Sequence, residues 1–433
     1  LCWKIMSNRP EQPSARPYRD GHRTSHWGVL VGSVLCVLAL VVTALYGWRI
    51  GWFASMTGND AAASSATADA ARNTPQQLAR SAAPKPDPSP ASKAHRMVNA
   101  MDMDTRIGQL VMAPLYAGNA PASLSSLIAD RHVGSVLIIG KWTGGVASVR
   151  AAADQLQGYA PGDNRLIIST DQERGWVQHL TGPGFDRMPT AVDQGTMSTN
   201  QLRQSASVWG SQMAAAGINV DLAPVLGTVV VNRAANAPIG ALYRDFGLDA
   251  EGNAAHGTAF VQGMADAGVQ SAIKHYPGLG AVTDNTNFTA DGILDTTTTL
   301  DGTEIKAFDT TIEQANPAMV MMALATYQAI DPNDPAVFSS IIIDGHLRGA
   351  LGYDGVAISD SMSAAAVSAY DTTQLGVKLV EAGGDLVCIG DTNYVVPILD
   401  GLSTRTASDP AFATKVTQSA IRVMPLKIKM GLA

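Results

Sequence analysis

Apolar runs alternate with amphipathic segments along the chain from residue 96 onward. The apolar runs number eight and cover residues 109–115, 133–140, 165–171, 217–224, 269–275, 318–324, 355–360 and 385–390. Stretches with helical spacing lie between several of them, for example at 199–216 and 249–267. Short apolar runs of this kind are typical of strands buried on both faces, and their alternation with helices predicts a parallel sheet.

The number of runs favours a closed barrel over an open doubly wound sheet. Eight strands that alternate with helices are the pattern of an α/β protein with a (β/α)8 TIM-type barrel. No GxGxxG fingerprint follows the first run, which argues against a dinucleotide-binding sheet. The barrel would occupy residues 96–430. Because about 250 residues are typical of this fold, long loops are expected.

One loop is unusually long. It follows the fifth run at residues 276–302, is rich in Gly, Asn, Thr and Asp, and precedes a helix predicted at 303–315. Long loops in compact domains are usually functional. This loop would lie on the catalytic face of the barrel, because it starts where the fifth strand ends.

The N-terminal part of the chain has a different pattern. Residues 27–48 carry no charge at neutral pH and are bounded by Trp27 and Trp48. As a helix they would span about 33 Å, enough for the core of a bilayer. Residues 1–26 are polar, and their basic residues outnumber the acidic ones. We therefore expect a cytoplasmic tail followed by a single-pass transmembrane signal-anchor helix, with the catalytic domain extracytoplasmic. A cleaved signal peptide, which would make the protein secreted, usually has a shorter apolar region of about 7–15 residues.

Residues 49–95 are rich in Ala, Ser, Thr and Pro and contain few large apolar side chains. Such a composition cannot form a core and predicts a flexible linker. A coil of this length has a mean reach of about 35 Å. The linker would therefore lift the barrel clear of the membrane and into a cell-wall layer.

Composition and charge narrow the possible partners. Hydrophobic residues make up 46% of the chain, which is enough for a sizeable core. The net charge of -7 argues against nucleic acid as a partner. The three cysteines are Cys2, Cys36 and Cys388, and their spacing indicates neither a disulfide framework nor a metal site. We expect a monomer that needs no cofactor.

Polar residues lie at the ends of four predicted strands. These residues are Asp171, Asp221, Lys274, His275 and Asp360. Taken alone, each could be a helix cap or part of an ion pair at the rim; residues 361–367 look helical, and Asp360 could be their N-cap. Because the carboxyl ends of parallel strands meet at one face of a barrel, the set as a whole predicts a polar site.

The residue types restrict the chemistry of that site. No His and carboxylate cluster has metal-ligand spacing, and phosphate-binding glycine motifs are missing. Carboxylates together with Lys274, His275 and Arg244 suit polyhydroxylated substrates, and Asp360 could then attack the anomeric carbon of a sugar. The alternative is that Lys274 forms a Schiff base, which would leave the carboxylates without an obvious task.

Six segments also carry motifs that occur in a fixed order. They are 104–110, 171–175 (DQERG), 221–226 (DLAPVL), 244–247 (RDFG), 274–278 (KHYPG) and 347–360. In this order they resemble glycoside hydrolase family 3, whose motifs include DQEGG, DLAPVLD and KHFPG. The resemblance is closest to the β-N-acetylhexosaminidase branch, especially its extracytoplasmic actinobacterial forms, which trim cell-wall sugars.

The resemblance implies a retaining exo-β-N-acetylhexosaminidase that removes terminal N-acetylglucosamine from cell-wall or chitin-type oligosaccharides. Asp360 matches the nucleophile of the family. Asp171, Arg244, Lys274 and His275 match residues that hold the sugar. Their chemistry fits, because a carboxylate accepts hydrogen bonds from sugar hydroxyls whereas Arg, Lys and His donate to hydroxyl oxygens.

The loop after the fifth strand departs from the family pattern. Members of this branch carry Asp-Ser-His there, and the His is the acid/base. Here residues 283–287 read TDNTN, and no His occurs in 276–302. The loop offers Asp284, Asp291 and Asp295, and Asp284 is our candidate for the catalytic acid/base because it lies nearest in sequence to the missing His.

Other departures concern substrate binding. Trp176 replaces an Arg of the family pattern, and His179 stands where a sugar-facing Arg is expected. Two further interpretations therefore remain open: a catalytically impaired protein that only binds cell-wall glycan, and a glycoside phosphorylase on the same fold.

Overall fold

The computed structural model describes residues 89–289 and 292–433. The predicted cytoplasmic tail, the predicted transmembrane helix at 27–48 and most of the predicted linker lie outside these residues. Among the described residues, no helix combines the length and the apolar composition needed to cross a bilayer. The first described helix, Pro90–Ala100, begins within the last residues that we assigned to the linker.

Eight parallel strands form the centre of the fold and confirm the eight predicted runs. They are β1 Val111–Tyr116, β2 Ser135–Ile139, β3 Ile167–Thr170, β4 Val220–Asp221, β5 Gln270–Tyr276, β6 Met319–Met322, β7 Val356–Ser359 and β8 Val387–Cys388. Neighbours in the sheet follow the order β7-β6-β5-β4-β3-β2-β1-β8. A parallel bridge between Ile358 and Leu386 joins β7 to β8, so the sheet is a nearly closed barrel of the TIM type.

The strands are buried on both faces, as their continuous apolar runs require. One apolar cluster fills the interior of the barrel and includes Met112, Ile167, Met321 and Ile358. A second, larger cluster lies between the strands and the surrounding helices. Burial of these two layers fixes the strand ends, and hence the polar residues that follow them, in one place.

The C-terminal helix closes the base of the barrel. Val423 and Leu426 of this helix, together with Leu432, pack within the interior cluster. The Leu432 carbonyl accepts a hydrogen bond from the backbone N–H of Arg165, just before β3. A site can therefore form only at the opposite end of the barrel, at the carboxyl ends of the strands.

Helices surround the barrel. The α-helices are Pro90–Ala100, Met103–Gln109, Ser125–Ala129, Gly145–Gln157, Ala191–Gln194, Thr199–Ala215, Ala250–Asp266, Thr303–Ala315, Thr372–Glu381, Val395–Ser408 and Pro410–Lys429. Ser198 and Gln201 form a capping box at the start of Thr199–Ala215. Asp249 caps Ala250–Asp266. The helices predicted at 199–216, 249–267 and 303–315 are confirmed.

Shorter helical turns occur in the connections. The 3-10 turns are Pro121–Leu124, Gly240–Leu242, Ala336–Phe338, Ala365–Val367 and Thr392–Tyr394, and Ile341–Ala350 is a π-helix. The expectation of a helix over 361–367 was wrong, because only Ala365–Val367 is helical and no α-helix follows Asp360 directly. Ser361 and Ser363 instead bond to each other through their hydroxyls at 3.0 Å, a local contact that competes with helix formation.

Two small sheets lie in the connections beyond the strand ends. The antiparallel pair Gln172–Arg174 and Val177–Gln178 forms a hairpin directly after β3. Strands Leu294–Asp295, Thr326–Tyr327 and Asp331–Pro335 form a three-stranded sheet. The first of these strands belongs to the long loop after β5, so that loop carries some secondary structure of its own.

Candidate active site

The strand ends bring five of the six predicted site residues together. Asp171 follows β3, Lys274 and His275 lie near the end of β5, and Asp360 follows β7. Arg244 comes from the connection after β4 and reaches the same cluster through Glu173. Each of these side chains is attached to an element that the barrel core holds in place.

Lys274 lies at the centre of the cluster. Its ammonium is 2.5 Å from Asp171 Oδ1 and 2.7 Å from Glu173 Oε1, and its side chain is 2% exposed. Two carboxylates therefore share one buried cation. A buried charge is stable only when it is paired and hydrogen-bonded, which both contacts provide.

Glu173 also holds Arg244. The pair is bidentate: Arg244 Nε donates to Oε2 and an η nitrogen donates to Oε1, each at 2.8 Å. Arg244 also donates to the Pro238 carbonyl at 2.9 Å. This planar geometry fixes the orientation of the guanidinium, so the connection after β4 is locked against the hairpin after β3.

The charges keep these groups ionised despite their burial. Burial alone raises the pKa of Asp171, but the Lys274 ammonium and the nearby His179 hold that pKa well below its ordinary value. The pKa of Glu173 is likewise lowered, because Arg244 and Lys274 outweigh the effect of burial. Burial alone lowers the pKa of Lys274, yet Asp171 and Glu173 hold it above the ordinary value.

Asp360 has fewer hydrogen bonds and ion pairs than Asp171 and Glu173. One oxygen accepts a hydrogen bond from the Ser361 backbone N–H at 2.7 Å. The other oxygen is 3.8 Å from His275 Nε2, too far for a hydrogen bond. The side chain is 17% exposed, so one oxygen of Asp360 is free to meet a ligand.

Burial and nearby cations act on the Asp360 carboxyl in opposite directions. Burial raises the pKa of its carboxyl, whereas the Ser361 N–H and the charges of Lys274 and Arg244 oppose the rise. Burial and the same two cations hold the pKa of His275 well below its ordinary value. His275 is therefore a neutral imidazole at neutral pH, able to donate one hydrogen bond and accept another.

His179 extends the cluster away from Asp360. Its Nε2 is 3.6 Å from Asp171 Oδ2, and its side chain is 13% exposed. This histidine, which stands where the family pattern has an Arg, therefore supplies a nitrogen beside Asp171. It contacts the carboxylate on the side opposite to Lys274, which binds the other oxygen.

Two carboxylates near the cluster, Glu173 and Asp221, were given no individual role in the sequence analysis. Glu173 was visible only as part of a motif, and its contacts with Lys274 and Arg244 depend on tertiary structure. Asp221 is fully buried, and its Oδ1 accepts from the Gln172 N–H at 3.0 Å. Burial raises the pKa of Asp221 to about 7. Only the position of Asp221 at the end of an apolar run signalled that it belongs here.

Asp284 is placed differently from the other five predicted residues. It is exposed, and no hydrogen bond or ion pair connects it to any other described residue. Asp295 is buried and accepts from the N–H groups of Thr297 and Thr298, so its carboxylate serves the local turn. Asp291 lies outside the described residues. Of the candidate acids Asp284 and Asp295, both of which the structure describes, Asp284 is the one open to solvent.

The loop that carries Asp284 is attached on both sides. The Thr283 carbonyl accepts from the Ala237 N–H at 3.2 Å, in the connection after β4. The Thr286 carbonyl accepts from the Ala366 N–H at 3.0 Å, shortly after Asp360 in the chain. These contacts keep Asp284 on a segment that crosses between the connections after β4 and β7.

The arrangement combines one free carboxylate with a fixed set of hydrogen-bond donors and acceptors. Asp171 and Arg244 are 17% and 14% exposed through their side chains, and both are open to the same face as Asp360. Such a site can hold several hydroxyl groups and present a carboxylate to one carbon atom. In the described ranges, no group of three or more His, Cys, Asp or Glu residues has the spacing of a metal site.

Comparison with known proteins supports a site for sugars. The sequence model of the glycosyl hydrolase family 3 N terminal domain matches residues 102–426. The chain is 30% identical over 300 residues to a beta-hexosaminidase of Alkalilimnicola ehrlichii, covering 66% of this chain and 83% of that protein. It is 29% identical over 321 residues to the beta-hexosaminidase LpqI of Mycobacterium tuberculosis, covering 71% of this chain and 78% of that one.

Solved structures agree. A beta-N-acetylhexosaminidase from Beutenbergia cavernae superposes with a TM-score of 0.73 at 40% identity, covering 76% of this chain and 98% of that chain. A family 3 beta-N-acetylglucosaminidase from Paenibacillus gives a TM-score of 0.69 at 30% identity, covering 77% of this chain and 63% of that chain. The resemblance seen in the motifs is thereby confirmed: the chain is a glycoside hydrolase that belongs to family 3, in its β-N-acetylhexosaminidase branch.

Proposed function

We propose that this protein is a retaining exo-β-N-acetylhexosaminidase that removes terminal N-acetylglucosamine from cell-wall or chitin-type oligosaccharides. The observation that carries the proposal is Asp360, a carboxylate with one free oxygen at the end of β7 and beside His275. The relatives named above as beta-hexosaminidases support the choice of sugar.

Asp360 is the proposed nucleophile. Its free oxygen attacks the anomeric carbon and the glycosidic bond breaks, which leaves a covalent glycosyl-enzyme. Water then attacks the same carbon and releases the sugar with its original configuration. The Ser361 N–H holds the other oxygen at 2.7 Å, which fixes the direction in which the carboxylate points.

The remaining cluster is the proposed sugar-binding set. Asp171 accepts hydrogen bonds from hydroxyl groups, while Arg244, Lys274 and His275 donate to hydroxyl oxygens. The contacts of Lys274 with Asp171 and Glu173 hold these groups in position before substrate arrives. Preorganised groups of this kind lower the cost of orienting the substrate.

Asp284 is the proposed acid/base. In the first step it gives its proton to the leaving oxygen, and in the second step it takes a proton from the attacking water. Its exposure and its position on the segment attached to both neighbouring connections support the assignment.

The test is a hydrolysis assay with an aryl β-N-acetylglucosaminide and a natural β-linked disaccharide side by side, with and without inorganic phosphate. Release of N-acetylglucosamine from both, with no effect of phosphate, is expected. Calorimetric binding of the disaccharide without any turnover would instead identify a glycan-binding protein. Strong acceleration by phosphate would identify a phosphorylase.

We also propose that the barrel acts outside the cytoplasm, attached by residues 27–48 and the linker at 49–95. The uncharged run between Trp27 and Trp48 supports this proposal. A relative from Arthroderma benhamiae, 30% identical over 353 residues, is described as a secreted glycosyl hydrolase. Fractionation of cells that express the full chain should place it with membranes, and recovery only from the medium would show that the segment is cleaved.

A further inference from the structure

The long loop after β5 begins with residues that are paired with the connection after β4. We call residues 279–283 the loop root. The Gly280 carbonyl accepts from the Val230 N–H at 3.1 Å, and the Thr283 carbonyl accepts from the Ala237 N–H at 3.2 Å. Both donors belong to the connection after β4, so backbone hydrogen bonds attach the loop root to that connection at two points.

A buried asparagine joins the same two segments through its side chain. Asn236 is fully buried, and its amide nitrogen donates to the Leu279 carbonyl at 2.8 Å and to the Val282 carbonyl at 2.6 Å. Its amide oxygen accepts from the Gly240 N–H at 2.6 Å, within the connection itself. Both ends of the side-chain amide are therefore hydrogen-bonded, and two of the three bonds hold the loop root.

These three contacts restrict the residue type at position 236. Two backbone carbonyls require donors and one backbone N–H requires an acceptor, and among short side chains only that of asparagine offers two donors and an acceptor. Leu279 and Val282 are 1% and 2% exposed, so water has little access to replace a lost bond. A buried carbonyl without a donor is unfavourable. The attachment of the loop root therefore depends on Asn236.

The loop root also lies very close to the backbone of the connection. A Cβ atom added at Gly280 would be 1.7 Å from the Thr228 carbonyl oxygen. Only glycine allows two backbones to approach this far. The Thr228 hydroxyl accepts from the Asn253 amide at 3.1 Å, in the helix Ala250–Asp266. The surface against which the loop root packs is thus anchored to a long helix of the barrel.

An ion pair makes the supporting connection rigid. Arg233 and Asp245 form a bidentate pair in which both N···O distances are 2.7 Å. Asp245 is fully buried, and the planar geometry of the pair fixes the two ends of the segment between them. Asn236 and Gly240 lie within that segment. The support therefore holds Asn236 at a fixed place in the fold.

The same connection carries a member of the proposed sugar-binding set. The Pro238 carbonyl, two residues after Asn236, accepts from Arg244 at 2.9 Å. Arg244 is also held by Glu173 in the hairpin after β3. The segment that binds the loop root therefore also orients a guanidinium that is proposed to bind the sugar.

Asp284 follows the loop root directly. Its Cα is about 3.8 Å from that of Thr283, the usual distance between neighbouring Cα atoms. Its side chain has no hydrogen bond or ion pair with another residue of the described ranges. The backbone on either side therefore determines where the Asp284 carboxyl lies, and on the preceding side that backbone is the loop root.

We propose that Asn236 is a positioning residue of the reaction. By holding the loop root against the connection after β4, it places the Asp284 carboxyl within reach of the leaving oxygen of a sugar bound through Arg244. This inference rests on the proposed function, because Asn236 acts through the proposed acid/base. Asn236 itself transfers no proton and touches no substrate.

Asn236→Asp tests the proposal with a natural β-linked disaccharide and an aryl β-N-acetylglucosaminide. The carboxylate has the shape of the amide but cannot donate to the Leu279 and Val282 carbonyls when it is ionised. We expect kcat/KM for the disaccharide to fall by about 10²-fold, the usual cost of misplacing a reacting group by about 1 Å. For the aryl glycoside, kcat/KM should fall much less, because its leaving oxygen needs little protonation.

The matched control is Asn232→Asp in the same connection. The exposed Asn232 side chain accepts from the Ala234 N–H at 3.0 Å through its oxygen, a bond that aspartate retains. Both kcat/KM values should stay unchanged. Asn236→Ser, which keeps one donor and one acceptor, should lower the disaccharide value less than Asn236→Asp does. It replaces Asn236→Asp in the assay if that variant does not fold, as judged by its melting temperature.

A double variant shows whether Asn236 acts through Asp284. In the Asp284→Asn background the positioned acid is already gone, so Asn236→Asp should lower kcat/KM for the disaccharide by no more than about twofold further. Losses that multiply in the double variant would overturn the proposal. An equal loss on both substrates in Asn236→Asp alone, or no loss on either, would overturn it as well.

Failure of the proposed function gives a different result. If Asp284→Asn leaves hydrolysis of the disaccharide unchanged, the assignment of the acid is wrong, and the role of Asn236 is rejected with it. If the wild type cleaves neither substrate, hydrogen exchange decides. The Val230 and Ala237 amides, which donate to the loop root, should then exchange faster in Asn236→Asp than in the wild type or Asn232→Asp. Equal exchange in all three would show that Asn236 does not hold the loop root.

Discussion

At the scale of single residues, the site depends on the sharing of one buried cation by two carboxylates. Lys274 lies 2.5 Å from Asp171 and 2.7 Å from Glu173. All three groups are largely removed from water, so each charge relies on the others. The sequence could identify Lys274 and Asp171 from their positions at strand ends, but it could not show that Glu173 completes the set.

Lys274→Met should destabilise the protein strongly and abolish hydrolysis. Removal of the ammonium takes away the cation that contacts Asp171 and leaves Glu173 with Arg244 alone. Breaking a buried pair in this way costs about 3–5 kcal/mol in the free energy of unfolding. Urea denaturation at neutral pH measures it. Arg203→Met breaks an exposed pair with Asp266 and is the control, with little change expected. A similar small effect for Lys274→Met would show that the buried cluster does not depend on its cation.

At the scale of elements, the strands were predictable because each is a short apolar run buried on both faces, and polar residues lie at the ends of four of them. Met319–Met322 and Val356–Ser359 are continuous apolar runs of this kind. The segment after Asp360 was not predictable, because the short contact between Ser361 and Ser363 decides its shape. The strand Leu294–Asp295 was also missed, because its partner Thr326–Tyr327 is distant in sequence.

The long loop after β5 carries the proposed acid, and this assignment can be tested separately from the nucleophile. Asp284→Asn should lower kcat/KM for a natural disaccharide by about 10²–10⁴-fold, the usual contribution of a general acid. For an aryl glycoside with a good leaving group, kcat/KM should fall much less, because the leaving oxygen needs little protonation. Asp301→Asn, at another exposed loop carboxylate, is the matched control.

The difference between the two substrates is the informative quantity. A loss for Asp284→Asn that is equal on both substrates, or no loss on either, would contradict the role of Asp284. In that case another group, or water alone, protonates the leaving oxygen.

At the scale of the whole molecule, the barrel has a catalytic face and a closed base. The base carries a buried lysine, Lys427, whose ammonium donates to Gln109 at 2.6 Å and to Asn164 at 2.8 Å. Burial lowers the pKa of Lys427 to about 7. Both partners are neutral amides, so no carboxylate compensates the charge.

This lysine should make stability depend on pH in the alkaline range. Between about pH 7 and its ordinary pKa of 10.5, the unfolded chain binds a proton that the folded chain has lost. The free energy of unfolding should therefore rise with pH above 7, by up to about 1.4 kcal/mol per pH unit. Urea denaturation of the wild type and of Lys427→Met at pH 7, 8 and 9 measures this, and Lys427→Met should remove the rise.

The control for that series is Lys429→Met, at a more exposed position in the same helix. It should leave the slope of the wild type unchanged. Identical slopes for the wild type and Lys427→Met would show that Lys427 stays protonated in the folded state throughout this range.

The sequence also predicts that the whole molecule is membrane-anchored through residues 27–48, which lie outside the described residues. Their apolar composition and flanking tryptophans indicate a membrane-spanning helix. A cleaved signal peptide is also apolar, so composition alone does not distinguish an anchor from a cleaved segment. The barrel was predictable from two independent patterns, because the eight apolar runs and the six ordered motifs both indicate the same fold.

The central claim, that Asp360 is the nucleophile of a retaining glycosidase, is tested most directly by trapping the covalent intermediate. The protein is incubated with an activated 2-deoxy-2-fluoro glycoside, digested, and analysed by mass spectrometry. The account predicts one fluorinated sugar attached to the peptide that contains Asp360, and no label on Asp360→Asn. Hydrolysis without any adduct, or an adduct on a residue other than Asp360, would contradict it.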